Sequence, residues 1–208
     1  MAAAQPAGVL PETIYESLRS SIVTQDVAPG SAVTESTVAA RFGVARQTAK
    51  VAIERLVAEG LLRRETHKAA RVPQLTAAEI ADLYESRAVV ESAAVARLGG
   101  IPAAALSAHR ALIEAGTDFA RHDIAFHRAL VAGQSNSRLA RMHSLIMGEV
   151  ELCIGQVQAA NLLNVEAVAE QHQGILDAIL ASDSDRAARL TSEHIEISRD
   201  RLLAHADS

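Results

Sequence analysis

The stretch from Arg41 to Gly60, RFGVARQTAKVAIERLVAEG, constrains the fold of this chain more than any other. Its apolar residues recur at the spacing of one helix face, which predicts an amphipathic helix over 46–59. These residues are Ala49, Ala52, Ile53, Leu56 and Val57. Gly43 is suited to end a preceding helix in the left-handed conformation. A helix, a tight turn and a second helix are therefore predicted in close succession.

The segments on either side complete a small domain. Pro11 fits the first turn of a helix that runs to about Gln25, and Thr34 caps a short helix from Glu35 to Phe42. After Gly60, the β-prone pieces LLRRE and ARVPQL surround a tip at 66–69 and predict an antiparallel hairpin. Three helices followed by a hairpin form the layout of a winged helix-turn-helix.

Positive charge is concentrated in this domain although the chain as a whole carries a net charge of −5. Residues 36–72 contain eight basic against three acidic side chains, a pattern typical of a nucleic-acid-binding module. Arg46 and Lys50 lie four residues apart on one side of a helix start. Arginine can bind a guanine edge, and lysine can do the same or hold a phosphate. Gln47 and Thr48 of the same turn are further candidates, against the alternative of ordinary solvated charges.

The remainder of the chain is predicted to be entirely helical. TAAE at 76–79 is a capping box, with Thr76 and Glu79 as its members. Helices are expected at 77–98, 102–115, 118–134, 137–159, 165–181 and 184–205. Hydrophobic residues make up 49% of the chain but aromatic residues only 2%, which favours closely packed helices built on Ala, Leu, Val and Ile. We therefore expect a disordered segment at 1–10, a winged helix-turn-helix domain at 11–75 and an all-α helical bundle at 76–208.

The first ten residues, the charge-free runs and the single cysteine together predict the cellular location of the protein. Residues 1–10 are apolar but lack the basic start of a signal peptide. The longest runs without charge are too short to span a bilayer. The single cysteine, Cys153, fits a reducing compartment. A cytoplasmic protein that does not enter the membrane is expected.

Three histidines and one aspartate occupy apolar helix faces in the second part. Asp123 and His127 are four residues apart on one predicted helix, while His172 and His194 lie on two others. Burying four such groups unpaired is costly, and a divalent cation removes the cost by binding imidazole nitrogens and a carboxylate oxygen. Zn²⁺ or Ni²⁺ is expected. The alternative for each single histidine is a hydrogen-bonded core residue.

Residues 11–75 resemble the winged-helix domain of GntR-type bacterial transcription regulators. The resemblance is carried by VAPGSAVTESTVAARFGVARQTAKVAIERLVAEGLL. It implies that Arg46 and Lys50 contact DNA and that His67 or Lys68 lies at the tip of the wing.

Residues 76–205 resemble the effector-binding FCD domain of the FadR subfamily, and a count of six helices resembles its VanR branch. The resemblance carries over Asp123, His127, His172 and His194 as metal ligands. LYESRAVVESAAVARL is similar to the first helix of that domain, where Arg87 and Glu91 lie toward the interior. This implies that they face the effector. A salt bridge between Arg87 and a neighbouring helix is an equally good alternative.

The resemblance implies a homodimeric repressor, not an enzyme, that binds an inverted-repeat operator in double-stranded DNA and responds to a small organic acid. Two alternatives stay open at this point. A helical metalloenzyme of the hydrolase type would use the cation to activate water. A regulator without metal would use the histidines to bind its ligand directly.

Overall fold

The computed structural model of the protein describes residues 11–66, 68–115, 119–160 and 164–206. The segment 1–10, predicted to be disordered, and His67, predicted at the wing tip, lie outside these residues. The chain divides into two compact units, Met1–Gln74 and Leu75–Ser208. Helix dominates both units, which confirms the predicted mainly α fold.

The first unit contains three helices and two short strands within its described residues. They are α1 (Pro11–Val23), β1 (Ala32–Val33), α2 (Glu35–Phe42), α3 (Arg46–Ala58) and β2 (Ala70–Arg71). The side chain of Thr34 caps α2 by accepting a hydrogen bond from the backbone N–H of Thr37 at 3.2 Å. Gly43 ends α2 with a φ of 64°, a left-handed conformation that glycine adopts without strain. This turn delivers the chain into α3.

The core of the first unit lies where α1 and α2 pack against α3. Four of the five residues predicted on the inner face of α3 are buried, while Val57 is half-buried. From α1, Ile14, Leu18 and Ile22 are buried against them. The opposite side of α3 is thereby left facing outward.

The wing differs from the predicted hairpin. Arg63 and Arg71 form a single antiparallel bridge, and the regular partner of β2 is β1, with Ala32 opposite Arg71. The prediction that LLRRE forms a strand of the hairpin is wrong for its first residues. The backbone N–H groups of Leu61 and Leu62 donate to the carbonyl of Leu56, at 3.0 and 3.2 Å, so these two residues close the end of α3. Both leucine side chains are buried in the core instead of alternating along a strand.

The second unit contains six helices in its described residues, as predicted. They are α4 (Ala77–Val95), α5 (Ala103–Ala115), α6 (Ala120–Ala132), α7 (Ser137–Ala159), α8 (Val165–Leu180) and α9 (Ser184–Ala206). The predicted capping box begins α4: the Thr76 side chain accepts from the backbone of Glu79, and Glu79 accepts from the backbone of Thr76. None of the described helices of the chain combines the length and apolar character needed to cross a membrane.

The two larger apolar clusters of this unit hold most of these helices together. One lies between α4, α7 and α9 and includes Tyr84, Met147 and Ile195. The other lies between α5, α6 and α8 and includes Phe126, Leu130 and Ile175. Because α6 contributes to both clusters, the polar side chains on its inner face are enclosed between α4, α8 and α9.

Candidate metal centre and nucleic-acid interface

Asp123, His127, His172 and His194 lie together in the second unit, brought there by α6, α8 and α9. Each offers one oxygen or nitrogen atom to the group, and these atoms all lie within 4.8 Å of one another. All four side chains are buried, and His127 and His172 are 0% exposed. The i, i+4 spacing on α6 places Asp123 and His127 side by side, and the apolar faces of α8 and α9 turn the other two inward.

The four atoms face one another closely. Nε2 of His127 lies 3.1 Å from Nε2 of His194 and 3.8 Å from Oδ1 of Asp123. Nε2 of His172 lies 3.3 Å from the same oxygen. One cation placed among them would be in reach of three imidazole nitrogens and one carboxylate oxygen.

Two of the imidazoles have their outer nitrogens held by acceptors. Nδ1 of His127 donates to Oε2 of Glu91 at 2.6 Å, and Nδ1 of His194 donates to Oε1 of Gln171 at 2.8 Å. With a proton on each Nδ1, the neutral rings carry lone pairs on Nε2, and these lone pairs point at each other. Such outer acceptors fix histidines in the tautomer that binds a metal.

The protonation states of the remaining groups suit a cation as well. Burial lowers the pKa of His172 to about 4, and burial also lowers the pKa of His194 well below its usual value. Burial raises the pKa of the Asp123 carboxyl, but the imidazoles of His127 and His172 outweigh burial and hold that pKa below its ordinary value. Neutral imidazoles around a carboxylate are the ligand set that Zn²⁺ and similar divalent ions take.

His172 distinguishes a cation from a shared proton. A proton between His127 and His194 would satisfy that pair without any metal. It would leave His172 unsatisfied, because neither ring nitrogen of His172 has a hydrogen-bond partner. A cation satisfies Nε2 of all three histidines at once, so the residues present fit a metal better than a proton.

Glu91 connects the first helix of this unit to the four residues. Its carboxylate accepts from Nε of Arg87 at 2.8 Å, from Nδ1 of His127 at 2.6 Å and from Nε2 of His143 at 3.0 Å. Burial raises the pKa of Glu91, but Arg87 and then His127 outweigh burial and lower it well below the ordinary value. Glu91, predicted as an effector contact, therefore holds His127 in this structure.

His143 on α7 is a buried histidine that the sequence prediction did not include in the site. It is 3% exposed and bonded to Glu91. The signal was present in α7, where positions 143, 147, 150 and 154 follow helical spacing and are all buried.

Arg87 pairs within its own helix rather than with a neighbouring one. The ion pair with Glu91 is an i, i+4 contact along α4, so the predicted alternative of a salt bridge to another helix is wrong in its partner. The guanidinium is 1% exposed, and its Nη2 has no hydrogen-bond partner. A buried guanidinium with a spare donor is suited to a carboxylate.

The predicted DNA-contacting residues lie at the start of α3. Arg46 and Gln47 are exposed, whereas Thr48 and Lys50 are half-buried. Nζ of Lys50 lies 3.5 Å from Glu54 in an exposed ion pair. Ala45 provides no side-chain cap, so the first backbone N–H groups of α3 have no side-chain acceptor there. Lys68 is exposed and paired with Glu65 in the wing.

Both units match known protein families. The family described as bacterial regulatory proteins, gntR family, matches residues 10–72, and the FCD domain family matches residues 82–197.

Two relatives named as transcriptional repressors match most of the chain. The "Probable D-xylose utilization operon transcriptional repressor" of Paenarthrobacter nicotinovorans is 26% identical over 179 residues, covering 80% of this chain and 76% of the relative. The HTH-type transcriptional repressor GlaR of Escherichia coli strain K12 is 27% identical over 199 residues, covering 87% of this chain and 90% of the relative.

Solved structures share the fold. A GntR transcriptional regulator from Rhodococcus sp. RHA1 superposes with a TM-score of 0.77 at 24% identity, covering 93% of this chain and 97% of that one. Escherichia coli McbR/YncC superposes with a TM-score of 0.75 at 16% identity, covering 95% and 99%. The FCD match alone spans more than half of the residues, and it joins a gntR match in the first unit. The chain is thus a DNA-binding transcription regulator and not an enzyme, and it belongs to the gntR family of bacterial regulatory proteins, with an FCD domain as its second unit.

Proposed function

We propose that this protein is a cytoplasmic, homodimeric repressor whose second unit binds a divalent metal together with a small carboxylic acid that alters operator affinity. The observation that carries the proposal is the convergence of one ligand atom each from Asp123, His127, His172 and His194, which all lie within 4.8 Å of one another. Repression is supported by two relatives whose names describe them as transcriptional repressors.

For the metal, the donor set supports Zn²⁺ or Ni²⁺. Three neutral imidazoles and a carboxylate leave a coordination position open in a five- or six-coordinate site. When bound, the cation supplies a positive charge and an open position that an anionic ligand can fill.

Arg87 supports the proposal that the effector is a carboxylic acid. Its Nη2 is buried without a partner, and the charge of Asp123 acts on the pKa of its guanidinium, so Arg87 lies within electrostatic reach of the metal ligands. A carboxylate that bound the open metal position and accepted from Nη2 would satisfy both groups.

Glu91 supports a route by which effector binding at the metal ligands changes the position of α4 at the start of the second unit. It joins the metal ligand His127 to Arg87 on α4, and α4 begins three residues after Gln74 ends the first unit. An effector that bound two positions of α4 unequally would shift the equilibrium between them, as any allosteric ligand must.

An exposed apolar strip on α4 and α7 supports the proposal that two copies of this chain form a dimer. Val89, Met142 and Leu145 are 65%, 52% and 65% exposed. The exposed acids Asp82 and Glu85 accompany the strip on α4, and the exposed arginines Arg138 and Arg141 accompany it on α7. A two-fold axis would place the acids of one copy against the arginines of the other.

For DNA, the start of α3 supports base reading in the major groove. The exposed Arg46 and Gln47 reach outward from an uncapped helix N-terminus, where partial positive charge favours phosphate. Two such helices in a symmetric dimer read an inverted repeat. Lys50 and Lys68 are proposed to contact phosphates, and Thr48 and His67 to complete the contact surface.

The test combines metal analysis with operator binding. The purified protein is expected to carry one divalent ion per chain, and a fluorescently labelled fragment of its own upstream region is expected to be released when a matching carboxylic acid is added. Removing the ion with EDTA should abolish the response to the acid. A metal-free purified protein that still responds would contradict the metal-dependent account and favour direct ligand binding by the histidines, which the shared-proton geometry of His127 and His194 also permits.

A further inference from the structure

His109 on α5 lies next to the proposed metal ligands without belonging to them. It is 6% exposed, and its ring centroid lies 6.1 Å from those of both His172 and Phe126. The rings of Phe126 and His172 are stacked, with centroids 3.9 Å apart and planes at 13°. Because His109 is equally distant from the two stacked rings, it lies beside the stack, at the edge of His172.

The free nitrogen of His109 is an acceptor. Burial lowers the pKa of His109, an effect that hydrogen bonding with the side chain of Gln173 partly offsets, so its ring is neutral. Nε2 of Gln173 already donates to Asp177 at 2.7 Å, which leaves its Oε1 to accept a proton from His109. Nδ1 of His109 has no partner, so the bond to Gln173 falls to Nε2, and Nδ1 carries a buried lone pair.

The free outer nitrogen of His172 is a donor. Its Nε2 faces Asp123 at the proposed cation position, so with a cation bound there the proton of the neutral ring belongs on Nδ1, which is buried without a partner. The other two histidines have an outer acceptor in Glu91 and in Gln171. His172 is the member of the three whose acceptor is missing among the described hydrogen bonds.

We propose that His109 is the positioning residue of His172, with Nδ1 of His109 accepting a hydrogen bond from Nδ1–H of His172, either directly after a small rotation or through one water. The proposal rests on the proposed metal site. It joins a buried donor that lacks an acceptor to a buried acceptor that lacks a donor on neighbouring rings, and each such atom is costly if left alone. Its consequence is that α5 takes part in setting the geometry and basicity of the metal ligands.

Substitution at His109 tests this with Zn²⁺ as the probe. H109F keeps an aromatic ring beside Phe126 but removes the acceptor, whereas H109Q restores an acceptor oxygen at similar reach. In competition with a chromophoric chelator, H109F is expected to bind Zn²⁺ about 10- to 100-fold more weakly than the wild type, as loss of an outer partner typically does, and H109Q to recover most of that loss. Unchanged affinity in H109F overturns the proposal. H205F, at an exposed histidine of α9, is the matched control and is expected to change nothing.

A second readout separates this proposal from the metal site itself. Long-range ¹H–¹⁵N spectra of the Zn²⁺-loaded wild type report which ring nitrogen carries each proton. Protonation at Nδ1 of His172 and at Nε2 of His109 is expected, and the Nδ1–H proton of His172 should exchange with water faster in H109F. A His109 protonated at Nδ1 overturns the proposal whether or not H109F folds. If the wild type binds no Zn²⁺, the proposed metal function and this proposal fail together, whereas Zn²⁺ bound equally tightly by the wild type and H109F overturns this proposal alone.

Discussion

The polar side chains that carry the proposed chemistry lie in opposite environments in the two units. Asp123 and His172 in the second unit are almost wholly buried, whereas Arg46 and Gln47 in the first unit are exposed. A buried polar atom without a partner costs about 1–3 kcal/mol, while an exposed one bonds to water. The packing of the second unit therefore restricts what its centre can bind. The surface of the first unit restricts its partner mainly through charge and shape.

The comparison is tested most strongly at Glu91, where three buried donors share one carboxylate. Replacing Glu91 with Ala leaves the buried charge of Arg87 unpaired and should lower the free energy of unfolding by about 3–5 kcal/mol. Urea unfolding of the metal-free protein, followed by circular dichroism, measures this loss. The matched control is Glu114→Ala at an exposed position of α5, expected to stay within about 0.5 kcal/mol. Equal losses of unfolding free energy in the two variants would mean that the burial of Glu91 does not increase its contribution to stability.

The next effect concerns metal affinity rather than stability. Replacing His172 with Ala removes a proposed ligand and should weaken Zn²⁺ binding by more than the roughly 10- to 100-fold that loss of an outer partner causes. The helical circular dichroism spectrum should persist, because the surrounding apolar clusters are retained. Equilibrium dialysis with metal analysis measures the affinity. Stoichiometric Zn²⁺ bound as tightly as by the wild type would exclude His172 as a ligand.

The exposed side of the comparison is tested at Arg46. Its replacement with Ala should weaken binding to the specific operator by about 1–3 kcal/mol without changing the stability of the first unit. Fluorescence anisotropy at two salt concentrations measures this, with Arg110→Ala on the exposed face of α5 as a control of equal charge. Undiminished affinity at moderate salt would remove Arg46 from the DNA interface.

A gradual effect of acid is expected in the buried unit. The folded-state pKa of His172 is about 4, below its unfolded value of 6.5. Above pH 6.5 His172 is neutral in both the folded and the unfolded chain, so it does not lower the free energy of unfolding. Between pH 6.5 and 4 this histidine binds a proton in the unfolded chain but not in the folded one. The free energy of unfolding therefore falls by up to about 1.4 kcal/mol per pH unit.

Unfolding of the EDTA-treated protein across this pH range measures that slope. His172→Ala should flatten it, whereas the exposed His205→Ala should not. A stability that rises as pH falls through this window would show that His172 is charged in the folded state.

The sequence predicted the residues that act within one helix better than those that act between helices. The pairing of Asp123 with His127 follows from the i, i+4 spacing on α6, and the cap at Thr34 follows from local chemistry. The contact between Gln171 and His194 depends on how α8 packs against α9. No spacing within α8 contains that information.

The same reason accounts for the corrected predictions. The strand partner of β2 lies about forty residues away in β1, and local β-propensity favoured the nearer segment LLRRE. The role of Glu91 depends on α4, α6 and α7 meeting at one carboxylate. The burial of His143 could have been predicted from the sequence, because His143 continues the apolar spacing of α7.

Anomalous diffraction from crystals of the protein grown without chelator tests the central claim most directly. The account predicts one anomalous peak per chain, within about 2.0–2.2 Å of Oδ1 of Asp123 and of Nε2 of His127, His172 and His194. The contradicting result is a centre without a peak, in which Nε2 of His127 and Nε2 of His194 remain about 3 Å apart and share a proton.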